Sequence, residues 1–217
     1  MRPAPCVCSL PEMRDGPVKF EIYQVAAGDC RHDWPIMKIL VAYYSRSGLT
    51  KWLAQRIAVA CDADLEAIED LAGPDMRGGG VGYARSALQA FLHIQAPIRP
   101  LRFAPERYDL TLIGTPVWSW NMSSPVRSYV QGHSGEFRHV AYFCTCAGSG
   151  QAKVLADLER LGGTKSVARL ALTEEEISGR RVEAKLAEFV AGVNKVLPPT
   201  RREGRAVHAK PVVSGRR

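Results

Sequence analysis

Three hydroxyl residues, Ser45, Ser47 and Thr50, are grouped around Gly48, directly after an apolar run and just before a helical pattern that begins near Lys51. A helix N-terminus leaves backbone N–H groups without partners inside the helix, and small hydroxyl residues ahead of it let those groups and their side chains converge on an anion. A phosphate is the natural guest. The Walker pattern ending in Gly-Lys-Ser/Thr is missing here, and so is Gly-x-Gly-x-x-Gly, which sets aside two commoner phosphate loops. The plainer use of Ser45 and Ser47 is to cap the helix.

Two more small-residue loops stand out. One runs Thr115-Pro116-Val117-Trp118-Ser119-Trp120-Asn121-Met122-Ser123-Ser124-Pro125, and the other is Thr145-Cys146-Ala147-Gly148-Ser149-Gly150. Each follows an apolar run and leads into a helical pattern, as the first loop does.

The elements that must position these loops can be read in order. Ile39 to Tyr44 is an unbroken apolar and aromatic run, which fits a strand buried on both faces of a parallel sheet. Leu53, Ile57 and Ala60 recur at helical spacing, and Asp64 to Glu69 alternates charged with apolar, suiting a strand nearer the sheet edge. Leu71 to Gly82 holds five glycines and a proline and reads as a loop; Ala84, Ala87, Leu88, Phe91 and Leu92 then mark an amphipathic helix. Leu110 to Gly114 and Val140 to Cys144 are further buried strands. Between them Ser124 is the expected N-cap and Pro125 the first helical residue of a helix that turns Val126, Tyr129 and Val130 inward. Val154, Leu158 and Leu161 share a helix face that Gly162-Gly163 should end; Val167 to Leu172 is a fifth strand, and a stripe from Val182 to Leu197 is a closing helix.

The chain of 217 residues, 46% hydrophobic and 24% charged, has room for one well-buried domain with tails. Residues 1–36 show neither period and are punctuated by prolines, apart from one short strand suggested by Phe20, Ile22 and Val25. They are expected to be an extension, with Met37 as the native initiator. Of the net charge of +7, the last 20 residues carry six basic groups against one acidic, so 198–217 is expected to be a solvated basic tail with no specific nucleic-acid role. No apolar run reaches the length of a membrane span and no signal sequence is evident, so the expected location is the cytoplasm. Six cysteines form no dense framework, and the two Cys-x-Cys pairs, Cys6/Cys8 and Cys144/Cys146, do not have zinc-site spacing, so free thiols and no metal are expected.

Strands and helices alternate five times, the pattern of a doubly wound parallel sheet, whose ligands sit beyond the carboxyl ends of the strands at the switch point. The three distinctive loops should meet there. Ser/Thr-x-Ser/Thr-Gly-x-Thr after strand one, Gly-Thr-Pro-Val-Trp at strand three and Thr-x-x-Gly-Ser-Gly after strand four resemble the loops of the flavodoxin family, over about residues 37–197. The resemblance implies a flavodoxin-like three-layer α/β/α sandwich with a five-stranded parallel sheet of order 2-1-3-4-5, and flavin mononucleotide (FMN) as cofactor. It implies that Ser45, Arg46, Ser47, Gly48, Leu49 and Thr50 hold the phosphate. Pro116, Val117 and Trp118 would lie along the isoalloxazine, with stacking favoured for Trp118 and only marginally for Trp120. Thr145, Ala147 and Gly148 would offer backbone groups to the ring's polar edge. Electron-carrying flavodoxins are typically acidic, whereas residues 37–197 carry 19 basic and 16 acidic groups, so the partner is not fixed by charge. Three functions stay open: a carrier of electrons between a redox partner protein and an acceptor, an NAD(P)H-dependent quinone or small-molecule reductase, and a phosphate-binding scaffold. The oligomeric state is not legible.

Overall fold

Alternation along the strands decides how the layers form. Ile39, Val41 and Tyr43 point to one side of the first strand and Leu40 and Ala42 to the other, and all five are buried, so both faces need helices. The computed structural model describes residues 37–71, 95–179 and 181–196. Contacts divide the chain into two units, Met1–Asp33 and Trp34–Arg217, and every described residue belongs to the second. The expected extension, the helix over Ala84 to Leu92, most of the glycine-rich loop before it and the basic tail lie outside the described residues.

In chain order the elements are β1 (Ile39–Tyr43), α1 (Leu49–Cys61), β2 (Asp64–Ala67), a 3-10 turn (Pro105–Arg107), β3 (Leu110–Trp118), β4 (Asn121–Met122), α2 (Ser124–Gly132), β5 (Val140–Cys146), α3 (Gln151–Gly162), β6 (Arg169–Thr173), α4 (Glu174–Ser178) and α5 (Arg181–Asn194). The parallel strands lie in the order β2-β1-β3-β5-β6, and β4 is added antiparallel to β3. Counted without β4, this is the expected 2-1-3-4-5. Helices α1 and α5 cover one face through Leu53, Ile57, Leu186 and Phe189, packed on Val41, Leu112 and Phe143. On the other face α2 and α3 bring Val126, Tyr129, Val154 and Leu158 against Leu40, Ile113 and Tyr142. Emptying such a position, as in Leu53→Ala or Leu158→Ala, typically costs about 2–5 kcal/mol.

Three features differ from the expectation. First, β3 does not stop at Gly114 but continues through Pro116 to Trp118 and folds back into β4. Proline is tolerated because Gly114 gives its carbonyl to Tyr44 N–H on the β1 side, so the nitrogen of Pro116, two residues on, faces the same side beyond the last residue of β1. Second, α2 is capped by Ser123, not Ser124. The Ser123 side chain makes no cap hydrogen bond; it pairs with Thr115 Oγ1 at 3.1 Å, and Ser123 N–H donates to the same oxygen at 3.0 Å. Third, the short helix α4 follows β6 directly, with a reciprocal capping box between Thr173 and Glu176. Gly163 ends α3 in the left-handed conformation at φ 67°, as the glycine pair suggested.

Candidate functional site

Helix α1 begins where β1 has just ended, so its N-terminus lies at the carboxyl edge of the sheet. Gly48 occupies the cap with φ 97°, a conformation that favours glycine, and a Cβ there would meet nothing within 4 Å. No side chain caps the helix and no acid stands in its first turn, which leaves its positive end available to an anion. Ser45 Oγ accepts the Gly48 N–H at 3.1 Å, folding the loop back on itself. Ser47 and Gly48 are exposed, Ser45, Arg46 and Leu49 half-buried, and Thr50 buried.

Thr50 is tied to the loop after β5. Along β5, Ala141 and Phe143 face α1, and Thr145 is the next residue on that side. Its hydroxyl accordingly meets Thr50 Oγ1 at 2.8 Å, in a buried contact between residues 95 apart in sequence. The Thr145 backbone lies in the ladder between Pro116 and Leu172, so what Thr145 brings to the first loop is its hydroxyl. Ala147 and Gly148, past the strand end, are exposed.

β3 reaches the same rim. The Trp118 indole meets Tyr44 edge-to-face with ring centroids 5.5 Å apart, and the Arg46 guanidinium carbon lies 5.9 Å from the indole centroid, within cation–π range. Trp118 is only 9% exposed. Its neighbour Pro116 pairs with Thr145, and Val117 pairs with Met122 of β4. Thus every residue expected at the site lies on one of three segments at this rim, and direct side-chain contacts join the first to each of the others.

The hairpin between β3 and β4 turns on two residues, Ser119 and Trp120, with φ 45° and 58°. Two positive values in a two-residue loop are the pattern of a type I′ turn, which prefers Asn-Gly; residues with a Cβ pay about 1–2 kcal/mol each for the left-handed conformation. Its neighbours offset this strain. Asn121 Nδ2 donates to Ser119 O at 2.8 Å, Lys153 Nζ donates to Asn121 Oδ1 at 2.8 Å, and Trp120 Nε1 donates to Ser149 Oγ at 3.2 Å. Gly150, at φ 94°, lies against Trp120: a Cβ there would stand 2.9 Å from the Trp120 Cα. Tyr44, Trp120, Ser149 and Gly150 therefore shape the rim as well; of these only Trp120 had been weighed for a role, in stacking, and the repeated glycines of Gly-Ser-Gly were the available signal for the rest of that loop.

The thiols nearby are buried in the packing. Burial pushes Cys144 up to about 12, and the neighbouring Cys146 adds to this. Cys146 is also raised by burial, and Cys61, Cys144 and Cys146 are all buried. No group of side chains suited to a metal ion occurs among the described residues, and none of their helices is long and apolar enough to cross a membrane.

Comparison with known proteins gives a consistent result. The flavodoxin family profile matches residues 38–190. A flavoprotein from Lactobacillus acidophilus NCFM, solved in complex with FMN, is 26% identical, with 65% of this chain and 97% of that chain covered and a TM-score of 0.54. Structures from Bacteroides eggerthii DSM 20697 (23% identity, 72% and 98% covered, TM-score 0.56) and Bacteroides uniformis ATCC 8492 (20%, 70% and 97%, TM-score 0.55) share the fold. No curated protein matches the chain. With a family profile spanning most of the chain and the strand order and rim that the fold requires, this chain belongs to the flavodoxin family.

Proposed function

We propose that the chain binds FMN at the carboxyl edge of its sheet and carries electrons between a redox partner protein and an acceptor. The observation that carries this reading is the convergence of the three loops. Thr50 touches Thr145 at 2.8 Å and Arg46 lies over Trp118 at 5.9 Å, which brings an anion-binding helix end and an aromatic wall to one rim. The related Lactobacillus acidophilus flavoprotein, solved with FMN, supports the choice of cofactor.

Bound FMN supplies the redox chemistry, and the protein supplies binding, orientation and electrostatics. Ser45, Ser47 and Thr50, with the N–H groups of Leu49 and Thr50, hold the phosphate at the positive end of α1, and Gly48 shapes the turn. Arg46 adds a cation beside them and lies over the Trp118 indole. Pro116, Val117 and Trp118 wall the ring, and the Ala147 and Gly148 backbone meets its polar edge.

A carrier and an NAD(P)H-dependent reductase differ in what reduces the flavin. A reductase takes hydride from a nicotinamide set against the flavin ring, whereas a carrier takes its electrons from a partner protein. The test is anaerobic stopped-flow mixing of the FMN-loaded protein with NADPH. A carrier keeps its flavin absorbance until a reductase is added; bleaching by NADPH alone, at a rate that saturates with nucleotide, means a reductase.

A further inference from the structure

The buried contact between Thr50 and Thr145 acquires a direction once an anion sits at the N-terminus of α1. A threonine hydroxyl has one proton to give and two lone pairs to receive with. The two oxygens are 2.8 Å apart, either can be the donor, and the residues are 1% and 4% exposed, so water does not compete for the contact. A phosphate dianion only accepts. When Thr50 gives its single proton to the phosphate, the Thr50 oxygen can keep Thr145 as a partner only by accepting from it. We propose that Thr145 is a positioning residue for the phosphate: its hydroxyl donates to Thr50 Oγ1 and so holds the Thr50 proton pointed at the anion.

The inference rests on the FMN reading above and assigns Thr145 a task at the opposite end of the cofactor from the ring edge. The fold supports it. Thr145 continues the side of β5 that faces α1, its backbone is occupied in the ladder, and its hydroxyl is directed at the second residue of α1. In a site of low polarity each donor in such a chain strengthens the next. Without the Thr145 hydroxyl, Thr50 Oγ1 keeps a buried lone pair with no donor and loses the contact that fixes its rotamer.

The test compares FMN with riboflavin, which has the same ring system and no phosphate, by fluorescence titration of the full chain. Thr145→Val is expected to weaken FMN binding about fivefold to tenfold, the effect of one lost hydrogen bond, and to leave riboflavin within about twofold. Thr145→Ser should restore FMN affinity. Because Thr145 acts through Thr50, the double variant Thr50→Val/Thr145→Val should bind FMN no more weakly than Thr50→Val alone. Equal losses for FMN and riboflavin, or additive losses in the double variant, overturn the relay. If valine prevents folding, Thr145→Ala removes the same hydroxyl and faces the same criteria. A wild-type chain that binds neither flavin overturns the FMN reading itself, a separate outcome.

Discussion

Thr50 stands at the second position of α1 with its hydroxyl buried and directed at Thr145. Valine keeps the shape and removes the proton, so Thr50→Val should leave the fold intact and lose a charge-assisted contact to phosphate worth roughly 1.5–3 kcal/mol. In an FMN titration this appears as an affinity about 10- to 150-fold weaker; unchanged affinity would mean that the loop does not hold the phosphate. The hydroxyls of the loop could be read from residue type and spacing alone. The Thr145 partnership could not, because it joins residues 95 apart and depends on which way β5 faces once the sheet is built. Trp118 illustrates the same limit: its place near the rim was legible, but its edge-on contact with Tyr44 and the Arg46 guanidinium over its face belong to three-dimensional packing.

Elements are where the sequence was both most and least informative. The central strands β1, β3 and β5 were legible because each is buried and largely apolar on both faces, a pattern that survives without knowledge of its neighbours, and the edge strand β2 because charged and apolar residues alternate along it. The β3–β4 hairpin was hidden, since Pro116 reads as a strand breaker and neither Ser119 nor Trp120 is a residue that favours positive φ. Two glycines of the loop after β5 can now be separated. Gly150→Ala puts a Cβ 2.9 Å from the Trp120 Cα and should cost about 1–3 kcal/mol in urea denaturation. Gly148→Ala meets nothing within 4 Å, should change stability by less than about 0.5 kcal/mol, and should still weaken FMN binding if the ring edge approaches Gly148 as proposed. At α4 the Lys185 hydrogen bond, followed by the Thr173 backbone N–H, holds the Glu176 carboxyl below its usual range of 4.5. A lowered folded-state pKa means stability that is present above about pH 4.5 and lost as pH falls through the folded value. Glu176→Gln should therefore be less stable than the wild type near neutrality, and the gap should close as the pH is lowered below 4.5 in a series of urea melts.

At the scale of the whole molecule, strand order places the carboxyl ends of β1, β3 and β5 side by side, so that loops far apart in sequence become neighbours. The proposed anion site lies where α1 starts, the aromatic wall where β3 turns, and the small-residue loop where β5 ends. The central claim is that these three parts together make one flavin site. Titrating FMN into the purified chain while following flavin fluorescence tests it most directly. The account predicts saturable quenching with one FMN per chain, together with loss of tryptophan emission from Trp118; flavin fluorescence that remains that of free FMN at a protein excess would contradict it.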